Sequence, residues 1–333
     1  MAGGSAPANR RNACSHRSLS VFGKTRSVRE ITGKYGILAT GSNYKQRSMG
    51  IVTKFRREVN VALSKLCRRK TTVNYLGMKL QVPLIYGMGR GYLTTGEMWM
   101  SHCIELLTGL KPGAVLDIGG NVGVFLVKLR VIDQHRQYFG FEPNPVCNFY
   151  VQELIRLNGF ENSRFYPVAI SNENSMRTLY ARKLGEKRAS MHKFMREHEK
   201  LGYSFEMVTV QGEEFIRRLP LSEISLIKID VEGAEFEVVD GIKGILKDYR
   251  PFVFCEVLNL NSDVGEYEER KKRIDSIINI LHELDYNIVA FKTEGGVTVL
   301  NKAEEFNKDY QDDYIFSPSE LTEKILETRG ILS

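Results

Sequence analysis

No apolar run in the 333 residues approaches the roughly 18 to 20 needed to cross a bilayer, and the first residues lack the apolar core of a secretory signal. Cysteine is sparse and scattered. Its five positions (Cys14, Cys67, Cys103, Cys147, Cys255) are odd in number and include no C-x-x-C pair, which argues against a disulfide framework and a structural zinc site. Six histidines include no H-E-x-x-H, and His192 and His198, six apart, fall on different faces of any helix, so no metal site is expected. A soluble protein of the reducing cytoplasm, without a membrane span, is the expectation.

Acids are nearly missing from one end. Residues 1–70 carry 16 Lys and Arg against Glu30 and Glu58 alone, so the net charge of +7 hides an acidic remainder with 31 basic and 38 acidic residues. Such an opening suits a nucleic-acid-binding arm, a mitochondrial transit peptide or unstructured sequence. It lacks the interleaved aromatics that stack on bases, which favours an unstructured extension. Interpretable periodicity begins only after Met49-Gly50, making Met49 a candidate start.

What is present from residue 112 on is alternation of strand-like and helix-like stretches, the mark of a mostly parallel sheet flanked by helices. Strands are expected at 114–118, 138–141, 165–170, 224–230 and 252–257. A helix follows Gly123 over 124–131, and another carries Val146, Phe149, Tyr150, Leu154 and Leu157 up to a Gly159 cap. Further apolar faces are Phe236, Val239, Ile242, Ile245 and Leu246, then Ile274, Ile277, Ile278, Leu281 and Leu284. Residues 171–210, polar and charged, read as an insertion. Glu294-Gly295-Gly296 joins 287–291 to 297–300 as a hairpin, which makes the last strand antiparallel. The expected organisation is a basic extension (1–70), a helical or lid segment (71–110), the main α/β domain (111–305) and a C-terminal tail with a short helix (306–333).

Ligands of open α/β sheets bind beyond the carboxyl ends of the strands, so strand ends carry the functional information. The first is Asp117-Ile118-Gly119-Gly120-Asn121-Val122-Gly123, a turn into a helix. Counted as G-x-G-x-x-G it has Asn121 and Val124 in place of the second and third glycines, which disfavours pyrophosphate. The second is Phe141-Glu142-Pro143-Asn144-Pro145, its acid 25 residues after Asp117. A carboxylate there can accept hydrogen bonds from both hydroxyls of a ribose, and the prolines stiffen the turn that aims it. The third, Ile227-Lys228-Ile229-Asp230-Val231-Glu232-Gly233-Ala234-Glu235, puts charges at a buried strand tip, where they need a task or mutual neutralisation. Glu256 ends the fifth strand as a substrate ligand or a helix-terminus partner.

Together D-I-G-G-N-V-G, F-E-P-N-P, I-K-I-D-V-E-G-A-E and P-F-V-F-C-E resemble the FkbM family of methyltransferases over about residues 80 to 300. The resemblance implies a Rossmann-like class I methyltransferase fold, with a mostly parallel seven-stranded sheet, an antiparallel last strand and helices on both faces. It implies S-adenosylmethionine as cofactor and methylation of a hydroxyl on a sugar or other small molecule, without an obligatory metal. Asp117 would lie near the methionine moiety, with Gly119 and Gly123 making room. The full cofactor set is Asp117, Gly119, Gly120, Asn121, Gly123, Glu142, Pro143, Asn144 and Ala169. Asp230 or Glu232 would take the acceptor's proton, with Lys228 as orienting or electrostatic partner. Gly120 stands where the family has Ala, and Val210-Gln211-Gly212-Glu213-Glu214-Phe215 replaces an L-D-D run, leaving Glu213 and Glu214 without a role. The acceptor should lie between the strand-four tip, Ser190 and His192 of the insertion, and a lid from Tyr86 to Trp99. Two other readings are a nucleic-acid methyltransferase or RNA-binding protein using the basic arm, which the acids at the strand tip disfavour, and a cofactor-binding domain without catalysis.

Overall fold

The apolar runs that end in charged tips become the middle strands of one sheet. The computed structural model describes residues 69–85, 88–89, 98–181, 202–257, 260, 267–292, 296–307 and 310–327. The basic extension through residue 68, Met49, Ser190, His192 and most of the 86–99 segment lie outside the described residues.

The described chain opens with an antiparallel hairpin, β1 (Arg69–Tyr75) and β2 (Met78–Leu84), where a helical or lid segment was expected. Helix α1 (Met98–Leu110) follows. Then come β3 (Ala114–Ile118), α2 (Val124–Ile132), β4 (Tyr138–Phe141), α3 (Pro145–Asn158) and β5 (Ser163–Tyr166). The expected 165–170 strand divides: β5 joins the main sheet, while β6 (Ala169–Ser171) pairs elsewhere with β7 (Ser175–Ala181) and β8 (Tyr203–Gln211). After α4 (Gly212–Ile216) and β9 (Ile224–Ile229), the single helix expected next is two, α5 (Glu235–Gly241) and α6 (Lys243–Tyr249). The chain finishes with β10 (Phe252–Glu256), α7 (Tyr267–Glu283), β11 (Tyr286–Lys292), β12 (Val297–Leu300), β13 (Tyr310–Pro318) and α8 (Ser319–Leu326).

The main sheet has eight strands, not seven, in the order β12-β11-β13-β10-β9-β3-β4-β5. Strands β10, β9, β3, β4 and β5 are mutually parallel, while β13 runs antiparallel to both β10 and β11. This is an α/β Rossmann-like architecture. The β11–β12 hairpin forms as expected, but the antiparallel strand set into the sheet interior is β13. It comes from residues assigned to a tail, and so the 305 boundary of the main domain falls too early. Burial explains the insertion: Tyr314, Ile315 and Phe316 are all fully enclosed, which only a strand covered on both faces achieves.

Two apolar clusters, one on each face, hold the helices to the sheet. Helix α3 shows how local chemistry sets an element. Asn144 Oδ1 accepts from the amides of Val146 and Cys147, Pro145 occupies the first turn, and Gly159 ends the helix at φ 63°. Its buried stripe is Cys147, Tyr150, Val151 and Leu154, whereas Phe149, expected on that face, is 47% exposed. Asn158 clamps β2 to this helix, accepting from the Gln81 amide at 2.7 Å and donating to the Gln81 carbonyl at 2.7 Å. No helix among the described residues is long and apolar enough to cross a membrane.

Candidate functional site

The turn after β3 spends its backbone donors on the protein itself. The amides of Gly119 and Gly120 both donate to the Phe141 carbonyl at 3.0 Å, that of Asn121 to Glu142 Oε2 at 2.9 Å, and that of Gly123 to the Gly120 carbonyl at 2.8 Å. A phosphate cradle needs such amides free and convergent, so the turn is not one. The glycines are demanded by the chain's own packing. A Cβ on Gly119 (φ +83°) would sit 1.8 Å from the Asp230 carbonyl oxygen, and one on Gly120 2.6 Å from the Phe165 ring. Gly123 starts α2 at φ 78°, tight against Val151. A side chain at Gly119 would meet the β9 tip and one at Gly123 would meet α3, and Gly119 also borders the cleft.

Glu142 lies one residue past the end of β4. Its Oε2 receives the Asn121 amide and its Oε1 the Asn144 amide at 2.8 Å. Each oxygen keeps a further lone pair for a ligand hydroxyl. Burial pushes this carboxyl up to about 7, against the opposing pull of the Asn144 and Asn121 amides. A side chain fixed at both oxygens needs no reordering to accept further hydrogen bonds.

The charged tip of β9 is one network with the end of β3. Lys228 Nζ lies 3.1 Å from Asp230 Oδ2 and 3.4 Å from Asp117 Oδ1, and donates to the Gly119 carbonyl at 2.9 Å. Asp117 is wholly enclosed, and its Oδ2 accepts from the Tyr138 hydroxyl at 2.6 Å. Burial alone would lower the Lys228 ammonium, but Asp230 and Asp117 more than offset it and hold it above its ordinary value. Parallel register brings the pair together, since Asp117 stands opposite Lys228 across β3 and β9. The loop that follows is strained, with Glu232 at φ 53° and Gly233 at φ 106°. Arg273 of α7 pins it by donating to the Gly233 carbonyl at 2.9 Å and to both oxygens of Glu237.

These tips open onto a cleft of about 630 Å³, counting the part open to solvent. Gly119, Asn121, Glu142, Pro143, Asp230 and Glu232 line it. Ala169 lines it with Leu179 and Met207, an apolar wall contributed by the small β6-β8-β7 sheet. Asp117, Gly120, Gly123, Asn144 and Lys228 do not reach the cleft surface. All five are buried, and Asp117 and Lys228 meet each other there. Leu179 and Met207 escaped the sequence reading because they lie in the segment taken for an insertion. A signal was available: Met207 and Thr209 are buried while Glu206 and Val208 are exposed, a period of two. Glu213 and Glu214 pair with Arg217 and Arg218 on the outside of α4. Among the described residues no group of three or more His, Cys, Asp or Glu side chains is disposed to hold a metal ion.

Residues 117–288 match the family model described as the methyltransferase FkbM domain, a span of more than half the chain that begins at Asp117. "Methyltransferase 1" of Beauveria bassiana (strain ARSEF 2860) is 21% identical over 199 residues, covering 54% of this chain and 77% of the fungal protein. Among solved structures, the FkbM methyltransferase of Methylobacillus flagellatus KT aligns with a TM-score of 0.39 at 14% identity, over 63% of this chain and 47% of that one. This chain thus spans about half the length of that structure. The precorrin-6y C5,15-methyltransferase of Geobacter metallireducens GS-15 aligns with a TM-score of 0.36 at 13% identity, over 67% of this chain and 88% of its own.

Proposed function

The chain belongs to the FkbM methyltransferase family, and from that membership we propose that it transfers the methyl group of S-adenosylmethionine to a hydroxyl of a sugar or other small molecule. The single observation that carries the cofactor reading is Glu142, a buried carboxylate held at both oxygens by the Asn121 and Asn144 amides and facing the cleft. It suits the two ribose hydroxyls of an adenosyl group. The neighbouring wall of Ala169, Leu179 and Met207 suits a flat apolar base, and Pro143 fixes the approach between them. Asn121, at φ 46°, and Gly119 border the side nearer Asp230, where the methionine end would lie.

When bound, S-adenosylmethionine would supply an electrophilic methyl, the new O–CH₃ bond forming as the S–CH₃ bond breaks and leaves its electron pair on sulfur. The protein's own part is to align the acceptor, exclude water and take up a proton. Asp230 and Glu232 line the cleft and are the carboxylates within reach of an acceptor there. Lys228 balances the charge of Asp230 without meeting the acceptor. The acids at this rim favour a neutral hydroxyl compound over a phosphorylated one. Buried free thiols at Cys103, Cys147 and Cys255 suit work in a reducing cytoplasm.

Calorimetric titration with S-adenosylhomocysteine tests the reading. Wild type is expected to bind, and Glu142→Ala to bind about 10- to 100-fold more weakly, the loss of charge-assisted hydrogen bonds. Absence of binding to wild type would sink it. Transfer of labelled methyl to a panel of sugars and small polyols then identifies the acceptor.

A further inference from the structure

Glu256 stands beside the residues assigned to the chemistry, at the end of β10. The parallel register of β10 on β9 pairs Cys255 with Ile229, which sets the next residues of the two strands, Glu256 and Asp230, side by side at the carboxyl edge of the sheet. Of the charged groups around Glu256, Asp230 acts on it most strongly. On the other flank of Asp230 is Lys228 Nζ at 3.1 Å, itself fixed by the Gly119 carbonyl and Asp117. Lys228 also acts on Glu256, and the other groups that face it are acidic: Asp313 opposite it on β13 and Glu232 from the loop after β9.

Two acids side by side at an enclosed sheet edge are costly to ionise together, so the pair retains a proton. The ion pair of Lys228 is with Asp230, and the proton therefore belongs to Glu256. Burial, with Asp230, Asp313 and Glu232 around it, pushes the Glu256 carboxyl up to about 9.

We propose that Glu256 is a positioning residue of the cleft: its carboxyl donates to Asp230 and, with Lys228 on the opposite flank, holds Asp230 as the anionic acceptor of the substrate hydroxyl's proton. The identity of that proton donor rests on the methyl-transfer reading above, whereas the carboxyl pair does not. A proton passed to Asp230 leaves both carboxyls neutral beside Lys228, and its release to solvent restores the pair.

The test is carbon NMR of protein labelled at the Asp and Glu side-chain carboxyls, with the Glu256 signal identified by its loss in Glu256→Gln. In wild type it is expected to titrate near 9, and in Asp230→Asn its midpoint should fall toward the ordinary carboxylate range. Glu256→Gln keeps a neutral donor and should leave the Asp230 signal close to its wild-type position at neutral pH, whereas Glu256→Ala should displace it. Titration of Glu256 in the ordinary range, or an Asp230 signal equally indifferent to Gln and Ala, would overturn the proposal. Titrating S-adenosylhomocysteine into the same samples keeps the two readings apart, because failure to bind removes the cofactor reading and leaves the carboxyl pair standing.

Discussion

At the scale of single residues, the site depends on buried charges that are satisfied from below. Asp117 is fully enclosed and relies on the Tyr138 hydroxyl for Oδ2 and on Lys228 for Oδ1. Removing the phenol oxygen in Tyr138→Phe leaves a buried carboxylate one donor short, at a cost of about 1–3 kcal/mol. A lowered urea midpoint with an unchanged slope is the expected result, and an unchanged midpoint would mean that Lys228 alone satisfies Asp117. The acids at the strand tips were legible in the sequence because buried strands that end in charge are uncommon. Tyr138 was not, for it reads as one aromatic at the start of a strand. Only the parallel pairing of β3 with β4 brings its hydroxyl to an acid 21 residues away. The glycines were legible as a turn, but the reason for them was not: the atom that excludes a side chain at Gly119 belongs to Asp230, 111 residues further on.

At the scale of elements, β13 carries more of the structure than its sequence suggests. It separates β10 from β11 and bonds to both, so its removal would open two unpaired edges in the sheet interior. Truncation after residue 309 is therefore expected to abolish cooperative thermal unfolding followed by circular dichroism. A truncated protein that melts like wild type would make these residues an appendage after all. The strand was hidden because its apolar run, Tyr314-Ile315-Phe316, is short and preceded by Asp312-Asp313, a pattern that resembles a polar tail. Strands β7 and β8 were hidden for a related reason. Their outward faces are polar at Thr178 and Glu206, and the inward face carries Arg177 beside Leu179, so composition outweighed alternation. Parallel strands buried on both faces had no such ambiguity, and β3, β4, β9 and β10 all lie where their apolar runs predicted.

At the scale of the whole molecule, the enclosed acids make stability depend on pH in a definite direction. An unfolded glutamate releases its proton near 4.5, whereas Glu142 holds it to about 7 and Glu256 to about 9. Between those values the folded chain binds more protons than the unfolded one, so stability falls as pH rises from about 4.5 through 7 and on toward 9, with a slope of up to about 1.4 kcal/mol per pH unit for each group. Carboxyls held low by hydrogen bonds and cations, such as Asp133 and Asp240, contribute only in the acid range below this window. Melting temperature recorded from pH 5 to 9 should decline; Glu142→Gln is expected to lessen the lower part of the decline, to which Glu235, also raised to about 7 by burial, contributes, and Glu256→Gln to flatten the upper part. A flat wild-type profile would show that neither acid retains its proton in the fold.

The sequence by itself determined the α/β class, the central parallel strands and the charged strand ends that border the cleft, because these follow from local periodicity and from the rarity of charge at buried tips. Tertiary structure alone decided that β13 enters the sheet, that β6, β7 and β8 supply the apolar wall, and that Asp230 lies between Lys228 and Glu256. Those outcomes depend on strand order and register, which join residues far apart in the chain through hydrogen bonds and packing that no short stretch encodes.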